Sequence, residues 1–273
     1  METQITKANF SEARKEFISI NHAADLAPFF AIQEAERAKD IPKEKNPKIW
    51  MWDNERTVNK CQQIVWQLTI DWKAWRPVPI KNPEKFNPKM FHEEVIRCVT
   101  KLATVFNKYR ITALRDLKSC DRDKYKKIVS HIEDGIMCIS KTKPTKKVVQ
   151  PMIGSKVMHH FFPTIVPVFD NAWISSRVLR LRSFKDFLKS KGHGWILKDY
   201  GEPPRMQEYH HYLAYCAQQI CDTNKHDLDD LRQEIAKLYI DVFPYSLVKN
   251  GKRSLMWKLD GKLAEYCLVG ATY

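Results

Sequence analysis

The stretch VVQPMIGSKVMHHFFPTIVPVFDNAWISSRVLRLR, residues 148–182, decides how this chain is read. A short loop holding Gly154 and Ser155 enters a helix at Lys156, and that helix must end before Pro163. An apolar, proline-bracketed segment, PTIVPVF, then delivers a single acidic residue, Asp170. Asn171 and Ala172 begin a further helix that carries Arg177, Arg180 and Arg182. Asp170 has two readings. It is an N-cap, whose oxygen accepts a free backbone N–H of the helix it precedes, or it is a carboxylate placed for chemistry.

Outward from this stretch, helical periodicity dominates. RTVNKCQQIVWQLTIDW, residues 56–72, places Val58, Cys61, Ile64, Val65, Leu68 and Trp72 at three- and four-residue intervals on one face. Asn87 and Pro88 open a second helix, PKMFHEEVIRCVTKLATVFNKY, with proline suited to its first turn. Asp121 is the N-cap candidate for a helix running through YKKIVSHIEDGIMCIS. MQEYHHYLAYCAQQICDT follows Pro204, and DLDDLRQEIAKLYIDVF starts at Asp227 with acids crowded where the helix dipole prefers them. LMWKLDGKLAEYCLV adds a short last helix. Strand signals are few, and WRPVPIKNPEKFNP, with four prolines, reads as an ordered loop. The fold class is therefore all-α. Weak boundaries fall at residues 42–47, 141–147 and 189–195, and there is no internal repeat.

Composition narrows the function. The 273 residues are 44% hydrophobic and 11% aromatic, a globular composition with enough chain for a real core. Eight glycines disfavour a Gly-rich nucleotide-binding fold and a turn-rich β sandwich. Lys and Arg total 46 against 32 Asp and Glu, a net charge of +14 that favours polyanionic partners through counterion release. Nucleic acid ranks ahead of an anionic membrane, because neither end of the chain reads as a strongly amphipathic Lys/Trp helix. Seven cysteines without a C-x-x-C pair point to a reducing compartment. With no signal-peptide pattern at the N-terminus and no apolar run of transmembrane length, a cytoplasmic protein is expected.

The order IGSKVM, then PTIVPVFD, then NAWISSRVLR resembles the helix-hairpin-helix DNA glycosylase superfamily, over about thirty residues of the chain. Two features depart from that family. Only Gly154 remains of the usual hairpin glycines, and Lys156 precedes Asp170 by 14 residues, roughly one helical turn less than in familiar members. The resemblance implies two helical lobes with a central cleft and a degenerate hairpin at their junction. One lobe spans residues 48–163; residues 1–47 and 164–273 form the other, which carries the catalytic aspartate.

It also implies roles. Cleaving an N-glycosidic bond passes through an oxocarbenium-like sugar cation, which a fixed carboxylate, here Asp170, stabilises while orienting the attacking water. Lys156 sits where bifunctional members carry a lysine that attacks C1′; a phosphate contact or a solvated lysine is the competing reading. Backbone amides near Gly154 and Ser155 would grip a DNA phosphate, against the simpler reading of a turn glycine. Arg177 and Arg180 would contact the backbone. Trp52, Trp72 and Trp75 are candidate walls of a base pocket, with Trp50, Trp66 and Trp173 behind them and Asp71 a guess for base reading. No cofactor and no metal are expected. The four closely spaced C-terminal cysteines of an iron–sulfur site are missing, and the adjacent pairs His159-His160 and His210-His211 point in different directions on a helix. The expected protein is a monomeric glycosylase acting on double-stranded DNA, in repair or in defence against foreign modified DNA. The alternative is a non-catalytic helical DNA-binding protein in which Asp170 is only a cap.

Overall fold

A computed structural model describes residues 3–18, 88–142, 151–190, 204–238 and 260–273. Among the described residues every regular element is helical, so the fold is all-α. In chain order the α-helices are α1 (Lys7–Ala13), α2 (Pro88–Tyr109), α3 (Leu114–Lys118), α4 (Arg122–Lys141), α5 (Pro151–Phe161), α6 (Arg182–Lys189), α7 (Pro204–Asp222), α8 (Lys225–Leu238) and α9 (Asp260–Gly270). The predicted helix at residues 56–72 and the loop at 75–87 lie outside the described residues, as does the lobe boundary at residues 47–48. No described helix is long and apolar enough to cross a membrane.

Caps and apolar spacing account for these elements. Asp121 starts α4 by accepting the Lys124 amide at 2.8 Å, as its sequence position predicts. Tyr125, Ile128, Val129, Ile132, Ile136 and Ile139 then recur at helical spacing and are buried, facing Phe91, Val95, Val99, Leu102 and Phe106 of α2. α2 ends with Arg110 in the left-handed conformation, φ 54°, and Ile111 N–H reaches back to the Phe106 carbonyl at 2.9 Å. α8 begins two residues before the predicted Asp227, because the Asn224 side chain accepts the Asp227 amide at 2.9 Å and takes the cap. α5 and α9 are buried on nearly every side, so neither shows a one-sided apolar stripe, and α9 takes Asp260, Lys262 and Glu265 inside with it.

Buried residues from Ile5 to Val269 join in one hydrophobic cluster. Two ionic devices cross it. Asp260, fully buried on α9, takes a two-pronged contact from Arg115 of α3 (2.8 and 3.1 Å) and a third bond from Arg232 of α8 at 2.6 Å. Glu133 of α4 accepts the Nδ1 proton of buried His210 of α7 at 2.6 Å.

Candidate functional site

α5 runs from Pro151, so the expected loop around Gly154 and Ser155 is corrected to helix. Proline at the first position explains the earlier start: its ring pre-sets φ and it has no N–H to leave unpaired. Gly154 is there for packing. A Cβ on it would lie 2.0 Å from the Ile136 carbonyl oxygen of α4, so only glycine lets the two helices approach this closely. Its amide donates to Ser140 Oγ at 2.9 Å inside the protein, which leaves it no proton for a DNA phosphate. Ser155 is fully buried and likewise faces the interior, so the two predicted phosphate contacts are replaced by internal ones.

Ser155 instead builds the site. Its hydroxyl accepts the Phe169 amide at 3.0 Å and lies 3.0 Å from the Met152 carbonyl. One side chain thus joins the residue before Lys156 to the residue before Asp170. The crossing segment between them is tied down along its length. Thr164 donates its hydroxyl to the Thr112 carbonyl (2.6 Å), and its own carbonyl accepts the Leu114 amide (2.8 Å). His159 Nδ1 meets the Val166 carbonyl at 2.6 Å, which requires the Nδ1–H tautomer. Burial and the nearby Lys262 ammonium hold His159 well below the ordinary histidine pKa, so the ring is neutral. Gly261 of α9 closes the other side, where a Cβ would meet the Pro163 carbonyl at 2.7 Å.

The outcome is a short ion pair. Lys156 Nζ donates to Asp170 Oδ2 at 3.1 Å; the two side chains retain 11% and 21% of their exposure, so solvent reaches both. Asp170 Oδ1 accepts the Trp173 amide at 3.2 Å, and the Asp170 carbonyl accepts both the Ile174 and Ser175 amides at 3.0 Å. Asp170 is therefore a cap, as one reading predicts, and faces Lys156 as well. The helix expected from Asn171 is in fact a π-helical turn, Asn171–Ser175, then a 3₁₀ turn, Val178–Arg180, before α6. This break carries Arg177 to the face of the Trp173 ring, 4.4 Å from its centre, and within 5.3 Å of the Tyr273 ring. Arg180 is exposed on the 3₁₀ turn.

The structure thus brings Lys156, Asp170, Trp173 and Arg177 together. Trp52, Trp72 and Trp75, with Trp50, Trp66 and Asp71, lie outside the described residues. One contributor is missed by the sequence reading and another has a different role. Tyr273 joins from beyond α9, far along the chain, with no local motif to announce it. Ser155 was foreseen as a DNA contact and is instead a clamp; its signal, a small hydroxyl on an otherwise apolar helix, is common to many buried serines. Of the two histidine pairs, His159 turns to the Val166 carbonyl and His210 to Glu133. No protein-family model, no curated protein and no solved structure matches the chain.

Proposed function

We propose that the protein is a DNA glycosylase of helix-hairpin-helix type, which flips out a modified or damaged base and cleaves its N-glycosidic bond to leave an abasic site. The observation that carries this reading is the Lys156–Asp170 pair: 14 residues apart in sequence, 3.1 Å apart in space, with Lys156 buried and Asp170 partly exposed. Each carboxylate oxygen has its own donor, so the group is aimed rather than free to rotate. The net charge of +14 supplies the attraction for duplex DNA, with Arg177 and Arg180 exposed in the segment that follows Asp170.

In the hydrolytic route the C1′–N bond breaks with its electron pair leaving on the base, which then takes up a proton. Asp170 stabilises the sugar cation, and water bonds to C1′ while releasing its proton to the carboxylate. In the lyase route the Lys156 ammonium first gives up a proton, which Asp170 can accept at 3.1 Å; the free amine then bonds to C1′ as the C1′–N bond to the base breaks, the base leaving with the electron pair and taking up a proton. Either route fits a repair enzyme or one directed at foreign modified DNA.

Asp170→Asn tests this. The amide keeps an oxygen for the Trp173 cap and removes the charge. Binding of duplex DNA should survive, while base release, followed by mass spectrometry on DNA carrying varied lesions and phage-type modifications, should fall by at least about 100-fold. Undiminished release by the variant would end the catalytic assignment. The Asp170–Trp173 hydrogen bond favours a second reading, a DNA-binding protein in which Asp170 only caps a turn. That reading expects DNA binding and no base release from either form. Borohydride trapping on abasic DNA separates the two chemical routes, with an adduct that Lys156→Gln should abolish.

A further inference from the structure

We propose that Trp173, Arg177 and Tyr273 form a preassembled platform on which one unpaired nucleotide stacks beside the Lys156–Asp170 pair. The inference rests on the DNA-directed reading above and assigns the surface that receives the displaced nucleotide.

Three planar groups meet here. The Trp173 and Tyr273 rings lie 6.1 Å apart, tilted by 43°, and the Arg177 guanidinium packs against both, at 4.4 and 5.3 Å. Cation–π contact with two rings fixes the guanidinium plane and limits the freedom of both rings. Tyr273 nonetheless keeps 51% of its surface exposed, a large value for a ring with two neighbours, and Arg177 is exposed too. The cluster is therefore ordered from within and open from without. It is linked to the ion pair by the hydrogen bond from Trp173 N–H to Asp170 Oδ1 at 3.2 Å.

The chemistry of this surface selects its ligand. The cation position between the rings is already filled by Arg177, so a quaternary ammonium or methylated lysine finds no vacant cage. What remains is an aromatic face and a guanidinium edge, with Arg180 exposed on the neighbouring turn. A planar base stacks on the former and its phosphate pairs with the latter. A paired base cannot present its face in this way, so the platform prefers an extrahelical or single-stranded nucleotide. The excess of 46 basic over 32 acidic residues favours a polyanion over an acidic, aromatic peptide as the source of such a ligand.

The test compares Kd values of the full chain, by fluorescence anisotropy, for a fully paired duplex and the same duplex with one bulged nucleotide. The wild type should prefer the bulged DNA. Tyr273→Ala should reduce that preference roughly tenfold, the scale of one lost base–aromatic stack, and Tyr273→Phe should retain it. Arg180→Ala should weaken both duplexes alike. Circular dichroism and melting of Tyr273→Ala check that the fold is kept, and Arg177→Ala provides a second route to the same loss. If both alanine variants fold, bind DNA and keep the wild-type preference, the platform is refuted while the glycosylase reading stands on its own base-release assay. If the wild type binds neither DNA, both proposals fall. Binding of acidic aromatic peptides without DNA binding also overturns the platform and makes this a protein-docking surface.

Discussion

Ser155 shows how much one hydroxyl can fix. It satisfies the Phe169 amide and reaches the Met152 carbonyl in a place no solvent enters. Ser155→Ala leaves a buried N–H without its acceptor, which costs about 1–3 kcal/mol. A urea titration should show that loss as a lower midpoint at unchanged slope. Ser155→Ala should also loosen Asp170 relative to Lys156, so any base-release rate should drop further than the stability loss explains at a temperature where the variant is fully folded. Residues of this kind resist reading from sequence. The carboxylate and the ammonium stand out in the sequence because their chemistry is distinctive. A buried serine hydroxyl looks like any other until its partner, 14 positions along, is placed beside it. Gly154 misled for the opposite reason: glycine serves turns and close helix contacts equally, and only the Ile136 carbonyl at its back decides between them.

At the scale of elements, the long helices were legible and the short turns were not. α2, α4 and α7 announce themselves by repeating apolar positions and by Pro or Asp at their starts. The break after Asp170 carries no such mark, because it arises when one carbonyl accepts two successive amides, from Ile174 and Ser175, a choice made by tertiary packing. α7 also carries a pH response. Burial, reinforced by neighbouring His210, lowers His211 from 6.5 to about 4. The unfolded chain then binds the proton more tightly, so the stability contributed by neutral His211 is present above pH 6.5 and drains away as pH falls toward 4. Neutral, buried His159 pulls in the same direction. Melting temperature should decline over that window, and His211→Gln should flatten part of the decline. A variant with the wild-type slope would show that His211 is not the group responsible.

For the whole molecule, the buried carboxylate of Asp260 is the tie that sequence could not display. It gathers Arg115 and Arg232 from helices far apart in the chain, and Arg232 holds Asp229 as well at 2.8 Å. Removing the charge takes from Arg115 and the buried Arg232 their shared carboxylate and leaves Arg232 with Asp229. Asp260→Ala should therefore cost about 3–5 kcal/mol, readable as a large drop in melting temperature or as failure to accumulate in soluble form. Pairing of this sort depends on which helices become neighbours, and periodicity alone does not say. The contact of Gly154 with Ile136 has a mechanical outcome at this same scale. Two backbones touching through a single hydrogen atom leave no slack, so α4 and α5 travel as one plank, and Lys156 rides on it two positions past the weld. A ligand at the lysine therefore meets a support whose two helices cannot slide apart without opening that contact.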